Sequence, residues 1–88
     1  MIYKLIGFTP LSDLVLTDYV KNQLIAISKQ FSDLEIEQTN ENDPRLQYGW
    51  YPDRFPAFIL FANDMRKAAI HAKLTDPEII DWVRYNLG

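Results

Sequence analysis

Apolar and polar positions divide the chain into alternating strand-like and helix-like stretches. The most apolar is residues 56–62, Pro-Ala-Phe-Ile-Leu-Phe-Ala. An unbroken apolar run of strand-forming residues predicts a strand covered on both faces, in the middle of a sheet. Residues 2–8 are also rich in strand formers and stop at Thr9-Pro10, which predicts a second strand. Residues 34–38, Leu-Glu-Ile-Glu-Gln, alternate instead. That pattern predicts a strand with one wet face, and its carboxylates suit an outer place in the sheet. Residues 66–73 predict a fourth strand, with Ala69 and His71 on one face and Ala68, Ile70 and Ala72 on the other. Asn63-Asp64 before it is short enough to make a hairpin with the central strand.

Two stretches carry a helical period. Leu16, Val20, Leu24, Ile27 and Phe31 recur at spacings of four, four, three and four, which puts them on one face. Ser12 and Asp13 supply start chemistry for this helix, as an N-cap and a negative charge in the first turn, and Thr17 offers a second start. In the last helix Ile79, Val83 and Leu87 share one side, with Ile80 beside them. Thr75-Asp76-Pro77-Glu78 opens it as a capping box, with proline at a permitted early position. Between the second and third strands, Asp43-Pro44 predicts a short helix start and Gly49 its stop. The order is β-α-β-α-β-β-α.

Composition narrows the class. Eighty-eight residues, 48% hydrophobic and 14% aromatic, make one folded α/β domain spanning residues 1–88. The net charge of −3 gives a nucleic-acid partner no electrostatic support. The longest apolar run is far too short to span a bilayer, so no membrane partner is expected. The first residues lack the shape of a signal peptide, and the reading is a soluble, cytoplasmic protein. There is no cysteine, which removes disulfides, thiol nucleophiles and cysteine metal sites.

The order of elements, together with particular residues, resembles the thioredoxin and glutaredoxin-like superfamily. Asp43-Pro44-Arg45-Leu46-Gln47-Tyr48-Gly49, a loop, then Phe55-Pro56-Ala57-Phe58-Ile59-Leu60-Phe61 is similar to the middle of a thioredoxin. There an Asn-Pro helix start and a Tyr-Gly stop precede a Pro-Thr dipeptide and an apolar strand. The stretch from Leu74 to Val83 resembles the family's last helix. The likeness covers residues 43–87 by motif and residues 2–38 by topology. It implies a four-stranded mixed sheet in the order 2-1-3-4, with helices on both faces. It also implies a cis peptide bond at Phe55-Pro56.

The departures matter as much. By position, the family's Cys-x-x-Cys falls on Thr9-Pro10-Leu11-Ser12. A thiolate does this family's chemistry, stabilised by a helix N-terminus, and a hydroxyl cannot replace it. Ala57 stands where the family has Thr, and Ala72 where it often has Gly. The resemblance therefore implies a redox-inactive relative that is not an enzyme and needs no cofactor.

Several site candidates follow, each with a plainer alternative. The implied binding groove is formed by Thr9, Pro10, Leu11 and Ser12, with Arg54, Phe55 and Pro56 opposite and Ala72 and Lys73 at its side. It would take a protein or peptide segment. The plainer reading of Thr9–Ser12 is a turn followed by a helix cap, and that of Pro56 a proline opening a strand. Tyr48, Trp50 and Tyr51, close to Phe55, form an aromatic partner patch or else fold back over the core edge. His71 is a lone histidine with no ligand spacing around it, so no metal site is expected. Ser12 with His71 lacks an acid orienter and an oxyanion hole for hydrolysis. Trp82, Ile79 and Ile80 read as core and core edge. Two alternatives to an adaptor module stand beside it. One is a structural or assembly subunit, as a homo-oligomer or within a larger particle. The other is a glutathione-binding or transferase-like protein.

Overall fold

The computed structural model describes residues 2–47 and 55–87. The elements are β1 (Tyr3–Thr9), α1 (Leu14–Gln30), β2 (Leu34–Asn40), a short 3-10 helix (Pro44–Gln47), β3 (Ala57–Ala62), β4 (Met65–Ile70) and α2 (Asp76–Leu87). The sheet order is β2-β1-β3-β4. β1 pairs in parallel with β2 and antiparallel with β3, and β3 pairs antiparallel with β4. This is the expected α/β architecture.

The register explains why residues 5–8 and 57–60 are so apolar: both strands have neighbours on each side and packing on each face. On one face Leu5, Phe58 and Leu60 meet Val20, Leu24 and Ile27 of α1 and Ile79 and Val83 of α2, all buried. On the other face Ile6, Phe8, Ala57 and Ile59 form a second buried cluster, with Phe55, Phe61 and Ala69 against it. Both α-helices thus share one face. The 3-10 helix belongs to the other, where Arg45 borders a depression floored by Ile6, Ile59 and Phe61.

Gly7 lets α1 approach β1. A methyl group there would stand 2.6 Å from Val20 Cγ1 and 3.2 Å from Leu24 Cδ1. The hairpin turn has positive φ at both Asn63 (50°) and Asp64 (67°), the backbone of a type I′ turn, which Asn and Asp tolerate better than most residues. The capping box forms as expected: the Glu78 carboxylate accepts from the Thr75 N–H at 3.0 Å and the Glu78 N–H donates to Thr75 Oγ1 at 3.4 Å.

Four expectations need correction. Asp13, not Ser12, caps α1, its carboxylate accepting the Leu16 N–H at 3.0 Å; Ser12 stands one residue ahead of the cap. β2 runs two residues further than its alternation suggests, because Thr39 and Asn40 find partners in Phe8 and Thr9 of β1. β4 ends at Ile70 rather than 73 and has a register shift between Leu60 and Phe61. The helix begun by Pro44 is a single 3-10 turn within the described residues, and its expected stop at Gly49 lies outside them.

Candidate functional site

The site candidates gather at one end of the sheet. β1 leaves the sheet at Thr9, β3 enters it at Ala57, and Phe8 pairs with Ala57. Ile70 pairs with Phe58, so the chain after β4 leaves at the same end. Topology therefore brings Thr9, Pro56 and Ala72 to one rim. The Phe55–Pro56 peptide bond is cis; Pro56 is buried and Phe55 half-buried. Arg54, Tyr48, Trp50 and Tyr51 lie outside the described residues.

Thr9 and Ser12, the residues expected at the family's two cysteine positions, have unlike surroundings. Thr9 is 2% exposed, and its hydroxyl lies 3.2 Å from that of Thr17 in the first turn of α1. Ser12 is exposed. Neither supplies a thiol. Between them the Leu11 N–H, free of helical bonding, donates to the Glu41 carboxylate at 2.9 Å. The loop is thus tied across to the end of β2.

The chain after β4 is also tied down. The Leu74 carbonyl accepts from the Tyr19 hydroxyl and from Gln23 Nε2, and burial holds the Tyr19 phenol above its ordinary pKa. Lys73 Nζ stands 5.1 Å from the centre of the Tyr19 ring, a cation–π contact on the α1 side of the rim.

A depression touches this loop, and Pro56 is not among the residues that border it. Its volume is about 260 Å³, and it is bordered by Thr9, Leu11, Leu14 and Thr17 and by Gln38, Thr39 and Asn40 at the end of β2. Two of its bordering residues are large apolar side chains largely in solvent, Leu11 at 61% and Leu14 at 73% exposure, and Val15, next to Leu14 in the chain, is 79% exposed. Helical periodicity does not single out Leu14 and Val15, because it identifies the buried face and leaves apolar residues off that face unassigned. Among the described residues no group of three or more His, Asp and Glu could hold a metal ion, and no helix is long and apolar enough to cross a membrane.

On the far face a charged network fixes the 3-10 helix to the sheet. Arg45 bonds Asp43 at 2.6 Å and also the Glu37 carboxylate, which Lys4 holds from the other side at 2.9 Å. The hydrogen bond from Arg45 is the main reason that Asp43 falls from 3.8 to about 2 and that Glu37 is also lowered. A carboxylate with a depressed folded pKa stabilises the fold above its unfolded pKa and loses that contribution as pH falls through the folded value. Asp43→Asn should therefore cost up to about 2 kcal/mol at pH 7. The difference from wild type should begin to narrow below about pH 5, be small near pH 2 and vanish near pH 1. Urea unfolding at pH 7 and at pH 2 checks this, and an equal loss at each would show that the charge is not responsible.

No protein-family model and no curated protein matches the sequence. Solved structures do. The germline-specific thioredoxin Deadhead of Drosophila melanogaster superposes with a TM-score of 0.73 at 8% identity, over 94% of this chain and 79% of that one. Thioredoxin f2 of Chlamydomonas reinhardtii gives 0.71 at 16% identity, over 96% and 79%. A malarial protein gives 0.74 at 12% identity over the whole of both chains. At such identities the likeness concerns fold alone, and it agrees with the four-stranded sheet in the order β2-β1-β3-β4. The chain has the thioredoxin-like fold, built without a cysteine.

Proposed function

We propose that this domain is a redox-inactive thioredoxin-like module that binds a protein or peptide segment at the rim around the loop Thr9-Pro10-Leu11-Ser12. Without a thiol the chain cannot carry out disulfide exchange of the thioredoxin type. One observation carries the reading: Leu11 and Leu14, both largely exposed, border the depression at the ends of β1 and β2. Fully covering an aliphatic side chain is worth roughly 1.5–3 kcal/mol, so a segment that covers both would gain affinity there.

The test is Leu11→Asp combined with Leu14→Asp. Both side chains are mostly in water, so stability should change by less than about 0.5 kcal/mol each. Captured from the native host, the wild-type domain should retain a partner in near-stoichiometric amount, and the double variant should lose it. Retention by the variant would remove the loop from the interface. Light scattering on the same two proteins tests the assembly alternative. A wild-type oligomer that the variant turns into a monomer would make the partner a second copy of this chain.

A further inference from the structure

β2 is an outer strand with β1 as its sole neighbour among the described residues. Its seven-residue register with β1 runs without a shift. In such a strand alternate residues direct their N–H and C=O groups away from the sheet, where another strand can pair with them. The opposite edge, β4, is blunted: it has a register shift and exposes Arg66 and Lys67. Irregularity and cations are devices that keep an edge from pairing. β2 has no such irregularity, and its outward charges are acidic.

Both flanks of that edge have a definite character. On the α1 side a seam runs between the helix and β2. It holds the 260 Å³ depression at Leu14 and a second, of about 210 Å³, bordered by Lys21, Ile25, Ser28 and Ile36. Gln38 borders both, its amide donating to the Thr17 carbonyl at 2.9 Å. Leu14 and Ile25, which is 45% exposed, line the seam with apolar surface. On the other side of the sheet the edge presents Glu35 and Glu37. Glu37 is engaged by Lys4 and Arg45; Glu35 is exposed and has no ion pair among the described residues.

From this geometry we infer that the outer edge of β2 accepts an extended segment of a partner protein as a fifth strand, with apolar residues alternating with basic ones. Residues at alternate positions of an added strand fall on opposite faces. The apolar set would lie in the seam under Leu14 and Ile25, and the basic set beside Glu35. Backbone pairing supplies affinity and the alternating side chains supply selectivity. The inference rests on the reading that the domain binds a polypeptide segment, and it places that segment along β2 instead of against Pro56.

The probe is a capped seven-residue peptide of alternating valine and lysine, titrated into isotope-labelled domain and followed by NMR and amide exchange. A valine–glutamate peptide of the same pattern serves as the control. The lysine peptide should saturably shift and protect the outward amides between Glu35 and Thr39 and move the methyl signals of Leu14 and Ile25. The glutamate peptide should not. Glu35→Lys should weaken binding by up to about fivefold, since cross-strand charge pairs are worth up to about 1 kcal/mol, with the melting temperature unchanged. Shifts confined to Phe55, Ala57 and Ala72, or to β4, would overturn the placement while leaving polypeptide binding intact. Absence of a saturable shift would also overturn it, and the capture experiment on Leu11 and Leu14 would then decide the broader reading alone.

Discussion

Phe58→Ala should cost about 3–5 kcal/mol and leave a domain that is only partly folded at room temperature. Phe58 is fully buried in the central strand. Its backbone pairs with Gly7 on one side and Ile70 on the other, and its ring belongs to the cluster that joins the sheet to α1 and α2. Truncation removes the ring where strand and helices all contribute neighbours, so no single element can shift to fill the space. At roughly 0.05–0.15 kcal/mol per residue, a domain of this size has about 4–13 kcal/mol in total. Urea unfolding followed by circular dichroism should show a sharply lower midpoint. A loss under about 1.5 kcal/mol would mean that the core is organised elsewhere.

Gly7→Ala should be destabilising by about 1–3 kcal/mol although it adds a single methyl group. Gly7 is buried in β1, and the added carbon would approach Val20 Cγ1 to 2.6 Å and the Phe58 ring to 3.4 Å. No such contact is tolerated without movement, so α1 must lift or Val20 must change rotamer. Val20→Ala alone also costs stability, by emptying part of the core. Together the two substitutions should cost less than their sum, because the space opened by one admits the other. A double-mutant cycle reads that coupling, expected at 0.5 kcal/mol or more. Additive losses would show that Gly7 is retained for a reason other than the closeness of α1.

Much of the scaffold was legible because local pattern and tertiary packing agree. The apolar run of β3, the period of α1 and the Thr75–Glu78 box each state one answer, and each forms as stated. Where they diverge, packing decides. Asn40 is a poor strand former that becomes strand because Thr9 lies opposite it. Ser12 and Asp13 are both good caps, and what selects Asp13 is where the chain leaves β1, which no local pattern encodes. The site was less legible still. Pro56 could be placed from its motif, and the rim residues do converge. The exposed apolar trio is different: Leu14 and Val15 look in sequence like any apolar residues of a helix. The outer place of β2 was legible in the carboxylates of residues 34–38 and in the implied strand order, but the seam that α1 makes beside it was not, because it depends on how the helix packs.

That central place of β1 has a consequence for how the chain is made. β1 leaves the ribosome before the other elements, yet its partners follow 31 residues later in β2 and 49 to 59 later in β3. Until β3 emerges, one side of the most apolar strand pair is unsatisfied, and only the βαβ half can form. The β3–β4 hairpin, closed by Asn63 and Asp64, is the one strand pair that assembles from near neighbours. Synthesis therefore delivers a half-sheet with an open apolar flank and completes it with a preformed hairpin. Slow translation between residues 40 and 57 would lengthen the interval in which that flank can find the wrong strand.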